Sequence, residues 1–176
     1  MKKEVFRRLF FACWPDQVVR QACREWQRRC VPGEARRTHP EDLHLTLHFL
    51  GQIHQPRIVE LLHMAREIRA QAFQLRLDEL GHFVRPRVLW AGPSLPPEGL
   101  LMLQQRLGEG LTGLGLCLET RPYRPHLTLA RKVAEKPQVT DLKPIKWHVT
   151  RWALVESRPG RLPLYQPLEI WPLRQK

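Results

Sequence analysis

The chain has 176 residues, of which 43% are apolar and 26% charged, and its formal net charge is +12. This composition is ordinary for a folded globular protein and excludes a disordered chain, while the length suits one domain. The positive excess is +6 in each half, with 16 cations against 10 anions in residues 1–88 and 13 against 7 in residues 89–176, so it belongs to the folded body and not to a tail.

Apolar residues recur with strand and helix periods in alternation along the chain. Alternating or continuous apolar residues predict strands at residues 5–13, 43–50, 73–77, 88–91, 116–119, 126–130, 145–156 and 168–171. Helical spacing predicts helices that begin after the N-cap Asp16, at Pro56 and at about Pro97. We expect Val18 to lie on the apolar face of the first helix and Gly51 to end the second strand.

This order of elements, roughly βα, βα, ββα and then mostly strands, favours an α+β fold with antiparallel sheets and helices packed outside. The Pro- and Gly-rich stretches at residues 93–97 and 158–163, and the loop at residues 132–144, are predicted to be surface connections and not linkers between domains. We therefore expect a single domain over residues 1–176.

The N-terminal stretch is not predicted to be a secretory signal, because Arg7 and Arg8 interrupt its apolar run. No segment of the sequence reaches the roughly 18 apolar residues of a membrane span. The cysteines have neither C-x-x-C spacing nor a zinc-type ligand cluster, so we expect reduced and mostly buried thiols at Cys13, Cys23, Cys30 and Cys117. We expect a cytoplasmic protein that does not associate with membranes.

One tetrapeptide, His-Leu-Thr-Leu, occurs twice, at residues 44–47 and at residues 126–129. Side chains alternate along a strand, so each copy presents its His and Thr on one face and its leucines on the other. A single His hydrogen-bonded to a neighbouring Thr is usually structural. The same polar pair repeated in two otherwise apolar strands instead indicates a functional site. If two similar lobes face each other across a pseudo-twofold axis, both polar faces line one cleft.

Two histidines across a cleft suit phosphodiester cleavage. One imidazole can be neutral and accept a proton while the other is protonated and donates one, because their ordinary pKa lies near neutrality. Arginine supplies 22 of the 29 cations, and its planar guanidinium binds phosphate oxygens in pairs. Arg131 follows the second His by five positions, so it can neutralise the phosphoryl group together with Thr hydroxyls and without a metal.

The paired motifs resemble those of the two-histidine (2H) phosphoesterase superfamily. The extended forms His44-x-Thr46-x-x-Phe49 and His126-x-Thr128-x-x-Arg131 are similar to the bacterial and archaeal RNA 2′,3′-cyclic phosphodiesterases, also called 2′-5′ RNA ligases. The similarity runs over essentially the whole chain. It implies a bilobal fold of two pseudo-symmetric lobes, each an antiparallel sheet flanked by helices, with the active site in the groove between them.

The resemblance also implies a substrate and roles for the motif residues. The partner would be RNA ending in a 2′,3′-cyclic phosphate, for example on tRNA halves, which water opens to a 2′-phosphomonoester. His44 would be the general acid that protonates O3′, and His126 the general base that activates water. No cofactor or metal is implied, a 5′-hydroxyl in place of water would give a 2′-5′ bond, and we expect a monomer.

The remaining implied roles concern the phosphate and the terminal base: Thr46 and Thr128 would hold phosphoryl oxygens, Arg131 would clamp the phosphate, and Phe49 would stack on the base. Strand alternation conflicts with the roles of Arg131 and Phe49. Phe49 and Arg131 lie at an odd offset from their histidines, so a flat strand would point both away from the cleft. Either the strands bend or end there, or these residues lie outside the site. His48 lies at an even offset from His44, so strand alternation predicts that its side chain faces the cleft. A structural role for His48 is the stronger alternative.

Other motifs are weaker. Residues 108–113 match G-x-G-x-x-G but follow a predicted helix, so we interpret them as a helix C-cap and turn. Tyr123 and Arg124 are candidates for RNA contact or for solvated loop residues. Other hypotheses also stay open: a noncatalytic RNA-binding protein, a relative acting on another 2′-5′ or cyclic nucleotide, and a metal-dependent phosphoesterase with His44, His48 and His126 as ligands.

Overall fold

The computed structural model describes residues 4–175. The strands are β1 (Phe6–Cys13), β2 (Arg36–Arg37), β3 (Leu45–His54), β4 (Phe73–Leu77), β5 (Glu79–Phe83), β6 (Val88–Gly92), β7 (Leu127–Arg131), β8 (Ile145–Val149), β9 (Arg151–Ser157) and β10 (Tyr165–Pro172). The helices are α1 (Gln17–Cys30), α2 (Ile58–Glu67) and α3 (Glu98–Gly113), with 3₁₀ turns at Pro40–Asp42 and Gln55–Arg57. The named strands all pair antiparallel, so the predicted α+β class with antiparallel sheets is confirmed.

The larger sheet has the strand order β10-β9-β1-β3-β7-β6-β5, and β2 also pairs with β7. Most neighbours in it pair along their length, but β3 and β7 share a single residue pair, Leu45 with Leu127. The sheet is therefore built from two groups of strands that meet at the two His-Leu-Thr-Leu motifs. The smaller sheet consists of β4 and β8.

The two strand groups differ from the two halves of the sequence. Strands β9 and β10, from the C-terminal part of the chain, extend the group that contains β1 and β3, while β2 pairs with β7 of the other group. At the junction, equivalent leucines of the two motifs oppose each other in an antiparallel pair, which is a local twofold relation. The wider division into two pseudo-symmetric lobes stays a prediction.

Helix α1 begins as predicted, because the Asp16 carboxylate accepts a hydrogen bond from Val19 N at 2.9 Å. Its buried face includes Cys23 and Trp26. The placement of Val18 on that face was wrong, since this residue is 76% exposed. As the second residue of the helix, Val18 points to the solvent side of the first turn.

Helix α3 is longer than predicted and runs through the glycine-rich segment to Gly113. The interpretation of residues 108–113 as a C-cap and turn was therefore wrong. A Cβ at Gly110 would lie 2.6 Å from Met64 Sδ in α2, and one at Gly108 would lie 3.2 Å from the His48 ring in β3. Glycine at these positions permits close approach of α3 to its neighbours, which offsets its low helix propensity.

Three predicted strand boundaries also differ. Gly51 does not end β3, because its positive φ of 72° allows the strand to continue to His54 through a bulge that skips Leu50. The segment 145–156 is interrupted at Thr150, where the chain passes from β8 in the smaller sheet to β9 in the larger one. Residues 116–119 form no strand, although Leu116 and Leu118 pack against the core. An apolar pattern predicts that a segment is buried, but it does not show whether the segment pairs with another strand.

One hydrophobic cluster joins both sheets and the three helices, and a smaller cluster lies on the other face of β1 and β9. Free thiols are buried at Cys13, Cys23 and Cys30 and exposed at Cys117, so the expectation of reduced and mostly buried cysteines is confirmed. Within residues 4–175, no helix is both long enough and apolar enough to cross a membrane.

A buried carboxylate attaches the loop at residues 158–164 to the motif region. Asp42 is 4% exposed, and its two oxygens accept hydrogen bonds from Leu164 N at 3.1 Å and Tyr165 N at 2.9 Å. This contact fixes the start of β10 beside His44, whose ring lies 4.9 Å from the Tyr165 ring.

We expect Asp42→Asn to lower the free energy of unfolding by about 1–3 kcal/mol, because an amide offers one acceptor oxygen and leaves one backbone N–H without a partner. Urea unfolding followed by circular dichroism measures this change. Asp16→Asn is the matched control, since Asn and Asp cap helices equally well. Equal stability of the two variants would contradict this role of Asp42.

Candidate active site

Each motif histidine stands one residue before a strand, His44 before β3 and His126 before β7. In both, ring Nδ1 is hydrogen-bonded to the backbone carbonyl two residues earlier. The acceptor is Asp42 O at 2.7 Å for His44. For His126 it is Arg124 O at 2.8 Å. A carbonyl can only accept, so Nδ1–H donates and the neutral rings keep Nε2 as an acceptor.

A β-bulge in each motif strand determines where the following residues point. The register of β3 with β1 skips Leu47, and the register of β7 with β6 skips Leu129. Each skipped residue is the second leucine of its motif. One extra residue reverses the alternation of side chains beyond it, so Phe49 and Arg131 return to the face of the histidines and line the same cavity. Of the alternatives left open by the odd offset, the bent strand is the one observed.

Because of the same bulge, the His48 side chain points away from the cavity. Its Nε2 lies 2.8 Å from Gln104 O of α3, and because the carbonyl accepts, Nε2–H donates. Burial lowers the pKa of His48, against the opposing effect of this hydrogen bond. The parity prediction for His48 was therefore wrong, and the stronger alternative, a structural role, is confirmed, because its side chain joins β3 to α3.

The two motifs line one cavity of about 870 Å³. Its walls also come from β1, β2, residues 38–42 and the loop before β10, and the lining residues are Arg8, Phe10, Arg36, Arg37, Thr38, His39, Asp42, His44, Thr46, Phe49, His126, Thr128, Arg131, Ser157, Pro159, Gly160, Leu162, Leu164 and Tyr165. Four of these are arginines and one is acidic. Because four guanidinium groups face one carboxylate, the cavity is positively charged.

Aromatic rings enclose His44. The ring centroids of Phe10 and Tyr165 lie 4.8 Å and 4.9 Å from that of His44, and the Trp14 ring is stacked at 5.9 Å. The Nε2 atom remains in contact with a polar group, because Thr46 Oγ1 lies 3.1 Å away and its hydroxyl donates to this acceptor.

This environment lowers the pKa of His44 to about 4. Burial is the main cause, and the nearby His126 and Arg131 act in the same direction when they carry positive charge. The hydrogen bond from Nδ1 to the backbone opposes the shift without reversing it. His44 is therefore neutral at pH 7 in the ligand-free protein.

The His126 ring is less enclosed. The Phe83 ring meets it edge-on at 5.0 Å. Burial lowers the pKa of His126, and the charges of Arg131 and Arg124 add to this shift. Among residues 4–175, no group forms a hydrogen bond to its Nε2 atom, so this acceptor is available to a ligand in the cavity.

The remaining predicted site residues lie in the same cavity. Thr46 and Thr128 are half-buried, and the Thr46 backbone oxygen accepts a hydrogen bond from the Tyr123 hydroxyl at 3.0 Å. Burial raises the pKa of Tyr123, whose hydroxyl thus joins the segment before the second motif to the first motif strand. Phe49 is 51% exposed, and the Arg8 guanidinium lies 5.0 Å above its ring. Tyr123 therefore has a structural role, which neither of the two alternatives, RNA contact or a solvated loop residue, had predicted.

Arg131 is exposed at the end of β7. In the part of the chain that the structure describes, its guanidinium forms no salt bridge. An anion that enters the cavity can therefore bind it without displacing a carboxylate.

The proposed metal-ligand set of His44, His48 and His126 is not assembled, because His48 lies on the opposite face of β3. Within residues 4–175, no group of three His, Cys, Asp or Glu side chains is arranged to hold a metal ion.

Many residues of the cavity are absent from the sequence predictions, among them Arg8, Phe10, Arg36, Asp42 and Tyr165. They belong to β1, β2, β10 and a 3₁₀ turn, which reach the motifs through sheet pairing and loop contacts. No spacing within the sequence marks these contacts. The high arginine content was the one signal that pointed toward Arg8 and Arg36.

Comparisons with known proteins match this chain in sequence and in fold. The family model of the 2′-5′ RNA ligase superfamily matches residues 14–161. The RNA 2′,3′-cyclic phosphodiesterase of Escherichia coli (strain K12) is 37% identical over 174 residues, which cover 96% of this chain and 98% of the relative. The enzyme of the same name from Thermus thermophilus is 35% identical over 182 residues, covering 95% and 90%.

A solved structure agrees with the sequence relatives. The crystal structure of E. coli LigT complexed with 3′-AMP superposes with a TM-score of 0.85 at 34% identity, covering 97% of this chain and 100% of that chain. The predicted family resemblance is confirmed by these matches over nearly the full length. The chain therefore belongs to the 2′-5′ RNA ligase superfamily.

Proposed function

We propose that this protein hydrolyses the 2′,3′-cyclic phosphate at the end of an RNA to a 2′-phosphomonoester, with one histidine as acid and the other as base. The observation that carries the proposal is the common presentation of His44 and His126. Both donate Nδ1–H to a backbone carbonyl, and both line one arginine-rich cavity. The names of the curated relatives agree with this activity.

In the reaction, His126 accepts a proton from water as the water oxygen attacks phosphorus. The bond between phosphorus and O3′ breaks, and His44 donates its proton to O3′, which leaves as a hydroxyl. The free Nε2 of His126 supports its role as base, because no internal hydrogen bond has to be broken first. Each transfer contributes typically about 10²–10⁴ in rate.

The acid must be protonated, whereas burial holds His44 neutral in the ligand-free protein. The anionic cyclic phosphate resolves this conflict, because a negative charge beside an imidazole raises its pKa. Protonation of His44 then also releases the Thr46 hydroxyl, since a charged imidazole donates at Nε2 and no longer accepts there. Binding of the substrate thus raises the pKa of His44, so that the protonated ring can act as the acid.

The other motif residues bind the substrate. Thr46 and Thr128 donate hydroxyl hydrogen bonds to phosphoryl oxygens, and Arg131 binds the phosphate through its guanidinium. Phe49 stacks on the terminal base, for which its half-exposed ring offers the area. No metal or cofactor takes part in this proposal.

With a 5′-hydroxyl RNA in place of water, the same groups join two RNA ends through a 2′-5′ bond. The acid and base exchange roles between cleavage and ligation. The physiological RNA, the cytoplasmic location, the monomeric state and the single bilobal domain remain predictions.

We expect an oligoribonucleotide ending in a 2′,3′-cyclic phosphate to be converted to the 2′-phosphate in the presence of EDTA. His44→Ala and His126→Ala should each lower kcat by about 10²–10⁴, because each removes one proton transfer. Product analysis by phosphate NMR and steady-state kinetics measure both effects. His63→Ala, an exposed position on α2, is the matched control and should keep full activity.

Circular dichroism of the variants separates loss of catalysis from loss of folding. Full activity of either histidine variant would contradict the mechanism. Activity that requires a divalent metal would favour the metal-dependent alternative, and RNA binding without any turnover would favour the noncatalytic one.

Because the pKa values of both histidines are lowered, activity should fall as the pH rises through neutrality. Above both pKa values, the fraction of free enzyme that holds the required proton falls about tenfold per pH unit, so kcat/KM should decline from about pH 6.5 upward. The decline of kcat should begin at higher pH, because the bound phosphate raises both pKa values. Initial rates between about pH 5 and 9 give both profiles. A kcat/KM that rises through pH 8 would refute this prediction.

Ligation is tested with a second RNA that carries a 5′-hydroxyl and without any nucleotide cofactor. We expect a joined product with a 2′-5′ bond, identified by its resistance to a nuclease specific for 3′-5′ linkages. The product should disappear in His44→Ala and His126→Ala, since both reactions use the same acid and base. Ligation that persists in these variants would place it in a different site.

A further inference from the structure

We infer that Arg36 on β2 forms a second phosphate site beside Arg131, which binds the internucleotide phosphate on the 5′ side of the terminal nucleoside. This inference rests on the proposed function. It makes the substrate an RNA of at least two nucleotides and not a cyclic mononucleotide, and it gives β2 a role in distinguishing between them.

The pairing of β2 with β7 places Arg36 directly opposite Arg131. Directly opposed residues of an antiparallel pair point to the same face, with their Cβ atoms roughly 4.5–5.5 Å apart. Both side chains are exposed, and both line the cavity that contains His44 and His126. Arg36 therefore approaches the reacting phosphate from the same side as Arg131.

Two like charges at directly opposed positions destabilise a strand pair. Here that cost is not offset within the chain: among residues 4–175, neither Arg36 nor Arg131 forms a salt bridge, and β2 is two residues long. The other arginine of β2 differs, because the Arg37 guanidinium donates to Val31 O at 3.1 Å. Arg36 thus lacks an internal partner that would explain its position.

The charge of a single cyclic phosphate does not account for this arrangement. A cyclic phosphodiester carries one negative charge, which Arg131 neutralises in the proposed mechanism. The next anion along an RNA is the phosphodiester that precedes the terminal nucleoside. Two arginines on adjacent strands repel each other and can direct their long side chains to two separate phosphates, so an RNA end with two phosphates matches the pair better than a mononucleotide.

The Arg8 guanidinium lies elsewhere in the cavity, above the Phe49 ring. It therefore belongs to the wall where the terminal base is proposed to stack, and not to the β2 wall. This separation leaves Arg36, the cation directly opposite Arg131 in the sheet, as the residue on which the test should act.

The experiment compares two dinucleotides that end in a 2′,3′-cyclic phosphate and differ in the linkage between their nucleosides. One carries the natural anionic phosphodiester and the other an uncharged methylphosphonate, and in both the first nucleoside is 2′-deoxy so that the linkage is stable. The two substrates present the same bases to the cavity. The ratio of their kcat/KM values reports the contribution of the internucleotide charge alone.

For the unmodified enzyme we expect kcat/KM to be about 10–100-fold higher for the phosphodiester, the effect of one charge-assisted hydrogen bond. Arg36→Gln should abolish this preference by lowering kcat/KM for the phosphodiester, with a smaller effect on the methylphosphonate. Arg24→Gln removes the same charge from an exposed position on α1 and should leave the ratio unchanged. Arg36→Lys should restore part of the preference, since the point charge of Lys remains attractive.

Each other outcome overturns the inference in a distinguishable way. Equal kcat/KM values for the two substrates with the unmodified enzyme mean that no second phosphate site exists, while the proposed function stands. Equal losses on both substrates in Arg36→Gln mean that Arg36 acts on the cyclic phosphate itself. If the unmodified enzyme hydrolyses neither dinucleotide, the proposed function fails and this inference fails with it.

Discussion

The antiparallel pair between Leu45 and Leu127 is the constraint on which the candidate site depends. Each leucine directly follows a motif histidine, so pairing the leucines brings His44 and His126 to one place at the centre of the larger sheet. Both leucines are fully buried, which holds this single pair in register although β3 and β7 share no other. The sheet can diverge on either side of it, and the cavity lies where the two strand groups separate.

The bulge at the last leucine of each motif is a second constraint on where the site residues point. A regular strand would place at most two of every four residues on the cavity face, which would exclude Phe49 and Arg131. Skipping Leu47 and Leu129 in the ladder reverses the alternation and keeps both leucines in the core. Each motif thus supplies a histidine, a threonine and a third side chain to one cavity without exposing apolar residues.

The electrostatics of the cavity follow from combining apolar walls with uncompensated arginines. Burial and the charge of Arg131 lower the pKa of both histidines below its ordinary value, which favours neutral imidazoles at pH 7 in the ligand-free site. Under the proposed function, the phosphate of the substrate supplies the anion that raises the pKa of both histidines. Four of the 29 cations line the cavity against one carboxylate, and under the proposed function this local excess attracts a polyanion toward the histidine pair.

Local patterns determined most of the strands, the starts of the helices and five of the six motif residues, because amphipathic periodicity and a repeated tetrapeptide are properties of neighbouring residues. The sixth, Phe49, came from the family resemblance. Whether these residues point into one cavity was decided by tertiary structure. The bulges, the switch of sheet at Thr150 and the packing of Gly108 against His48 depend on partners far along the chain. The same holds for Asp42, Tyr165 and Arg36, which join the site through one carboxylate and one two-residue strand. Such contacts depend on folding of the whole chain, so the sequence by itself determined the chemistry available and the fold decided its geometry.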